Sequence, residues 1–315
     1  MSRVAGKPSG SDASSPARPA VPLRIAVLGL GLIGGSAAAA WRRLGHDLVG
    51  WSRRPATIEA AIERGIVGAG AKSAAMAASD VDVVVLAPPV LAMRDLLAEI
   101  APALRPGTIV TDVASTKVAP ETWASATLPA HARWVGAHPM AGKEVSGLDH
   151  VDPGMFRGRT WVVVPPPGAE LQAVSVVSRL GRELGSRVIE MSAVAHDHAV
   201  ANVSHLPFMV STALSDAVIG DPDFPEWSTV AATGLRDITR LASGDALMHR
   251  DICLTNRDRI ADAMARIARI LDTLAAEVRA LPDPDAASGT EALATMETTF
   301  VRAKADRDAW LPNAR

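Results

Sequence analysis

The sequence predicts a doubly wound α/β domain built on a parallel sheet, followed by an all-helical domain. Three observations lead there. Short β-branched apolar runs alternate with helix-forming stretches from Leu23 to about residue 190. Beyond that point apolar residues recur only at helical spacing. Gly29-Leu30-Gly31-Leu32-Ile33-Gly34, a G-x-G-x-x-G run, leaves the first predicted strand and opens the first predicted helix.

The elements follow in order. LRIAVLGL, from Leu23, is a buried strand, and the alanine-rich SAAAAWRRLG after the glycines is a helix ending near Gly45. HDLVGW is a second strand, residues 56–64 carry helical periodicity, and DVVVLAPP (82–89) is a third strand. VLAMRDLLAEIAPAL is helical and TIVTDVAS (108–115) is a strand. WVGAHP and TWVVVPP (160–166) continue the series, with a helix over 169–184 and the strand RVIEM (187–191). Right-handed crossovers would bring the carboxyl ends of these strands to one edge, where ligands bind.

From residue 191 the chain reads as helix only. HDHAVANVSHLPFMVSTALSDAVIG is one long helix, kinked or broken at Pro207. GDPDFPEW is a loop, and ALMHRDICLTNRDRIADAMARIARILDTLAAEVRAL is helical again. LPDPDAASG breaks the chain before a last amphipathic helix, TEALATMETTFVRAKADRDAW. The expected organisation is a disordered tail (1–22), a sheet domain (23–190), a helical substrate and dimerisation domain (191–282) and a C-terminal tail with one helix (283–315). Long apolar helices with little partner surface point to a homodimer.

Composition narrows the function. A formal net charge of -2 gives no case for nucleic acid or a membrane surface. An acidic ligand must then be held by local arginines. Cys253, the only cysteine, excludes an internal disulfide and fits a reducing, cytoplasmic setting. No Cys/His cluster has metal-ligand spacing, so no metal is expected.

The glycine run in its strand-to-helix setting is a Rossmann-type dinucleotide fingerprint. Gly29 makes the tight turn, Gly31 lets backbone approach a pyrophosphate, and Gly34 allows close helix–strand packing. Leu32 and Ile33 open the helix whose N-terminus faces the phosphate. The second strand ends in Ser52-Arg53-Arg54, where an NAD site usually places a carboxylate for the ribose 2′-hydroxyl. A hydroxyl and two guanidinium groups suit a 2′-phosphate, so NADP is expected, with NAD as the alternative.

Two further stretches leave strands at the same edge. Thr111-Asp112-Val113-Ala114-Ser115-Thr116-Lys117 carries a hydroxyl, and Gly136-Ala137-His138-Pro139-Met140-Ala141-Gly142 carries an imidazole. Alcohol oxidation needs a proton acceptor near pH 7, which neutral histidine provides. On residue type alone His138 is equally a hydrogen-bonded structural histidine. Arg236 and Arg240, four apart, share one helix face and read either as an anion clamp or as surface ion pairs. His196 reads as structural and His198 as exposed.

GLGLIGGS, TDVASTK, GAHPMAGKEVSGLDH, MFRGRTWVVVP, HDHAVANVSHLPF and GLRDITRLASGDALMHRDI occur here in the order seen in prephenate and arogenate dehydrogenases. The chain resembles that family from about residue 23 to 275. The resemblance implies oxidative decarboxylation of prephenate to 4-hydroxyphenylpyruvate, or of arogenate to tyrosine, with a nicotinamide dinucleotide. It implies that His138 takes the proton of the ring 4-hydroxyl and that Ser115 positions histidine and substrate. It implies that His205 lines the substrate pocket, that Arg240 binds a substrate carboxylate, and that Arg236 is a second basic group nearby. Lys143 and His249 depart from the family pattern, and their roles stay open. A β-hydroxyacid dehydrogenase would place a catalytic lysine in the helical half, which offers only Lys304 in its last helix. A non-catalytic NADP-binding protein would leave the histidines of HPMAG and SHLP without a purpose.

Overall fold

A computed structural model describes residues 21–142, 145–283 and 290–311. Lys143, most of the predicted N-terminal tail and most of LPDPDAASG lie outside them. The chain divides into two compact units between Arg257 and Asp258.

The first unit begins with six parallel strands and their helices. These are β1 (Arg24–Leu28), α1 (Leu32–Leu44), β2 (Asp47–Trp51), α2 (Pro55–Glu63), β3 (Ala69–Gly70), α3 (Ala74–Ala78), β4 (Val83–Leu86), α4 (Ala92–Ile100), β5 (Ile109–Asp112), α5 (Val118–Thr127) and β6 (Arg133–Trp134). Their order, β3-β2-β1-β4-β5-β6, reverses between β1 and β4, and such a switch point opens a crevice. The period of two decides the layers. Ile25 and Val27 face a core with Trp41 and Trp161, while Ala26 and Leu28 face one with Met93 and Leu97. β3, α3 and α5 escaped the sequence reading, because AG, AAMAA and VAPETWASAT carry no clear apolar period.

The later strands depart from the expected single parallel series. β7 (Gly136–Pro139), β8 (Thr160–Val164) and β9 (Arg187–Glu190), with α6 (Leu171–Glu183) before β9, form a separate sheet ordered β7-β8-β9. WVGAHP is thus split, since Trp134 pairs with β5 whereas Gly136–Pro139 pair with β8. β7 and β8 run antiparallel. Among the described residues no crossover helix joins them, only a loop with one 3₁₀ turn (Leu148–His150), and without a crossover the pairing reverses direction. Trp161 anchors this sheet on α1. Its ring meets Trp41 edge to face at 6.3 Å, and Trp41 Nε1 donates to the Leu180 carbonyl at 3.1 Å. Burying one such ring contributes about 4–6 kcal/mol.

The helical stretch starts with α7 (Ala193–Val200), continues through a π turn (Ala201–His205) and resumes as α8 (Leu206–Val218). Pro207 neither ends the helix nor stands at a sharp break. It has no N–H for the carbonyl four residues before it, and the widened turn accommodates that loss. The predicted loop GDPDFPEW contains α9 (Phe224–Trp227), one helical turn. α10 (Thr233–Thr239) runs into a 3₁₀ turn (Arg240–Ser243), then α11 (Ala246–Thr255). The single stretch expected from residue 246 breaks at Asn256, whose side chain is drawn inward to Asp197 and His205. The second unit holds the rest of α12 (Arg257–Arg279) and α13 (Thr290–Trp310), where Thr299 donates to Glu277. Among the described residues no helix is long and apolar enough to cross a membrane.

Candidate active site

The glycine run turns where β1 meets α1. Gly29 has φ +116°, and a Cβ there would lie 2.5 Å from the Ala87 carbonyl oxygen. A Cβ on Gly34 would fall 2.0 Å from the Gly29 oxygen, so helix and turn touch backbone to backbone. At Gly31 a Cβ would meet nothing within 4 Å. That open space lies at the start of α1, which has no capping side chain and no acidic residue in its first turn. Leu32 is buried and Ile33 half-buried, which leaves backbone N–H groups as the polar face of the turn. An anion is the ligand that completes such a terminus.

Beyond the end of β2 lies an open cavity of about 420 Å³ whose lining includes Trp51, Ser52, Arg53, Glu59 and Lys72. Two of the three residues predicted to hold a phosphate line it. Arg54 does not; it stands at the N-cap of α2, its N–H 3.5 Å from Ser52 Oγ. Lys72, brought in beside β3, was not among the predicted residues. Glu59 adds one carboxylate to two cationic groups, so the balance still favours an anion.

The second cluster forms where the two sheets meet. Asp112 ends β5, and its Oδ1 accepts from the Ala137 N–H in β7 at 3.0 Å. Its other oxygen accepts from Ala114 N–H and pairs with the Lys117 ammonium, which also donates to the Ala137 carbonyl at 2.6 Å. Both partners are buried. This node fixes β7 at the residue before His138. His138 is 9% exposed, so its ring is nearly sealed from solvent. Ser115, half-buried on the turn between β5 and α5, makes no hydrogen bond to His138 in the protein alone. Thr116 ties that turn to Thr255 of α11 at 2.9 Å.

His196, read from the sequence as structural, belongs to this cluster. Its Nε2 lies 2.9 Å from His138 Nδ1, and its Nδ1 lies 2.8 Å from Asp197 Oδ1. Asp197 also accepts the N–H groups of Lys117 and Val118 at 2.7 and 2.9 Å, capping α5 from another helix. His198 is exposed, as expected.

His205, at the end of the π turn, is buried. Asn256 Nδ2 donates to the Asp197 carbonyl at 2.8 Å, which orients the amide, and lies 3.3 Å from His205 Nδ1. That nitrogen therefore accepts, and Nε2 carries the proton. His205 Nε2 is buried without a protein partner, an N–H left for a ligand.

Burial dominates the electrostatics. It pushes the His138 imidazole well below its ordinary range, helped by His196, Lys117 and His205. His205 is pushed down to about 4, mainly by burial and against the pull of Asp197. Burial lowers His196 as well, partly offset by its bond to Asp197. All three rings are neutral at pH 7.

Neither Arg236 nor Arg240 is buried with the histidines. Arg236 on α10 is exposed and pairs with Asp237 at 3.4 Å. Arg240 is exposed at the start of the 3₁₀ turn. That turn is fastened to α8 by the Ala242 N–H, which donates to Ser211 Oγ at 3.0 Å. His249 of α11 stacks on Phe208 of α8, with ring centroids 3.4 Å apart and 7° between planes. Its Nδ1–H donates to the Asp245 carbonyl at 2.9 Å. Among the described residues no group of three or more His, Cys, Asp or Glu is arranged to hold a metal ion.

Residues 37–190 match the family description "Prephenate dehydrogenase, nucleotide-binding domain", and residues 192–294 match "Prephenate dehydrogenase, dimerization domain". A prephenate dehydrogenase of Bacillus subtilis is 32% identical over 254 residues, covering 79% of this chain and 68% of that one. A cyclohexadienyl dehydrogenase of Zymomonas mobilis is 31% identical over 236 residues, covering 74% and 80%. Among solved structures, a prephenate dehydrogenase from Aquifex aeolicus in complex with hydroxyphenyl propionate and NAD+ superposes with a TM-score of 0.83 at 27% identity. That match covers 92% of this chain and 99% of that one. A Synechocystis arogenate dehydrogenase gives 0.77 at 29% identity, covering 91% and 99%.

Proposed function

Because the chain belongs to the prephenate dehydrogenase family and is an NAD(P)-dependent oxidoreductase, we propose that it oxidatively decarboxylates prephenate to 4-hydroxyphenylpyruvate with NADP. The observation that carries this reading is His138, a buried imidazole kept neutral at the junction of the two sheets. When bound, the nicotinamide accepts hydride from ring carbon C4. His138 takes the 4-hydroxyl proton. Ser115, whose hydroxyl has no hydrogen-bond partner among the described residues, holds the substrate oxygen. His205 donates its unused Nε2–H to the substrate. Loss of CO₂ then aromatises the ring and makes the reaction downhill, so the protein's main task is positioning.

Arginine supplies the charge that a dianionic substrate needs. Arg240 binds a substrate carboxylate, with Arg236 as a second cation nearby. Arg240→Ala is expected to raise KM for the acid by roughly 10–100-fold, the value of a lost charge-assisted hydrogen bond, with kcat within a few-fold of the parent. Steady-state kinetics check this, and an unchanged KM removes the clamp.

The glycine turn holds the pyrophosphate, with Gly29, Gly31 and Gly34 shaping it and the N–H groups of Leu32 and Ile33 facing it. Ser52, Arg53 and Lys72 hold the 2′-phosphate, and Arg54 adds positive charge outside the cavity. Arg53→Ala is then expected to raise KM for NADP by roughly 10-fold and to leave NAD nearly unchanged. Equal effects on both dinucleotides would remove the phosphate reading.

Arogenate is the alternative substrate, and the relatives named for arogenate and cyclohexadienyl substrates keep it in view. The two acids differ only in a keto against an amino side chain. Initial rates at 340 nm with each acid, against NADP and NAD, decide the matter. Turnover of neither acid by a protein that binds dinucleotide would sink the proposed reaction. The protein acts as a homodimer in this reading. Apolar residues exposed on α12 and α13, among them Ile270, Leu271, Phe300 and Val301, support that assembly.

A further inference from the structure

We propose that Asp197 and His196 form a proton relay behind His138, which sets its tautomer and stores the substrate proton until the ring aromatises. The inference rests on the reading of His138 as the base. It starts at Asp197. One oxygen accepts the Lys117 N–H, the other accepts the Val118 N–H, and the first also faces His196 Nδ1 at 2.8 Å. A carboxylate only accepts, so His196 Nδ1 carries a hydrogen. In the neutral ring Nε2 is then a lone pair, 2.9 Å from His138 Nδ1. One nitrogen of that pair must donate, so His138 Nδ1 carries the hydrogen and His138 Nε2 is the free base. A bare histidine in water prefers neither arrangement strongly enough to keep it. Here two backbone N–H groups and the start of α5 hold the carboxylate in place, and the carboxylate holds both rings.

The same chain handles the proton after transfer. The substrate O–H bond breaks as the bond to His138 Nε2 forms. The Nδ1 hydrogen of His138 then passes to Nε2 of His196, and the positive charge comes to rest beside Asp197. The groups facing His138 favour that direction. Lys117 from the β5–α5 turn opposes a charge on either ring and His205 from the π turn opposes one on His138, whereas the bond to Asp197 and the nearby Asp112 favour one on His196. When CO₂ leaves, the electron pair of the broken C–C bond enters the ring and the ring oxygen needs a proton again. The relay runs backward and returns it. Hydride goes to the nicotinamide, CO₂ departs, and no proton is released overall, so the buried site needs no exit path to solvent.

The wild-type protein labelled with ¹⁵N-histidine tests the first half without any substrate. Long-range ¹H–¹⁵N correlation at pH 7, with the His138 signals assigned by their loss in His138→Gln, should show the Nδ1–H tautomer at His138. An Nε2–H ring or an imidazolium there would overturn the relay. Kinetics test the second half. His196→Gln keeps an acceptor for His138 Nδ1–H but cannot take a proton, whereas His196→Leu keeps neither. Expected losses in kcat are roughly 10-fold for glutamine and 100-fold or more for leucine, with dinucleotide binding unchanged in both. Parental activity in the leucine variant, or a glutamine variant no better than leucine, would overturn the proposal. Failure of the wild-type protein to turn over either acid would sink the reaction, and the tautomer spectrum would still report on the relay.

Discussion

His138→Asn is expected to lower kcat by about 10²–10⁴-fold, the range for a lost general base. Asparagine is polar and smaller than histidine, so β7 and its tie to Lys117 through Ala137 remain, and the melting temperature should change little. The measurement is a kcat at saturating acid and dinucleotide beside a thermal melt. Near-normal turnover would exclude His138 as the base. The wild-type pH profile carries a second signature. Burial, aided by His196, Lys117 and His205, lowers the His138 pKa, so the neutral form persists below the pH at which a free imidazole protonates. The acid limb of kcat/KM should therefore lie well below about 6.5, the ordinary histidine value. A limb at that value would mean that the ring meets water freely. The depressed rings of His138, His196 and His205 also link folding to pH. Below about pH 6.5 the unfolded chain takes up protons that the folded chain refuses, so stability falls as the solution is acidified.

Lys117→Met carries the largest expected effect on stability. The ammonium and the Asp112 carboxylate form a pair with almost no solvent exposure, 1% and 0% at the side chains. Burial alone depresses the lysine, and the neighbouring carboxylate resists that shift, which marks the pair as mutually dependent. Methionine fills a similar volume but leaves the carboxylate with two backbone N–H groups and no counter-charge. Breaking a buried pair from one side costs about 3–5 kcal/mol. In a chain of this size that corresponds to a fall of about 10 °C in melting temperature. Lys117→Met with Asp112→Asn should recover part of the loss, because the stranded charge is then gone. A single variant that melts with the parent would show that the ammonium is not what compensates Asp112.

The elements that locate the cofactor were legible in the sequence because their signals are local. A β-branched run, three glycines and an alanine-rich helix lie within about twenty residues and need no distant partner. His138 stood out as a candidate for the same reason, at the end of a short strand, although its residue type alone left a structural histidine equally open. What surrounds it was not. His196 lies 58 residues away from His138 in sequence, and only the fold brings them together. A histidine and an aspartate opening a helix look like a solvated end, and nothing local says that both are buried. Lys72 was missed because it follows a two-residue edge strand that no periodicity announces. The second sheet was misread for a related reason: a strand pattern reports which residues face inward but not which partner runs beside it.

The widened turn before Pro207 acts as a correction of phase. His196 and His205 are nine residues apart, which on an uninterrupted α-helix of 3.6 residues per turn means two and a half turns and opposite faces. One such helix could present only one of the two rings to a given pocket. The π turn over Ala201–His205 holds roughly one extra residue, which sets the helix back by about 100°. The second ring thereby swings from the far side to within about a quarter-turn of the first. A single-residue deletion inside Ala201–Ser204 would leave every apolar contact type available and restore a smooth helix. It would keep His205 within the same quarter-turn of His196, because eight residues of regular helix also set the rings about 80° apart, so the widened turn absorbs an extra residue without disturbing the alignment of the two rings.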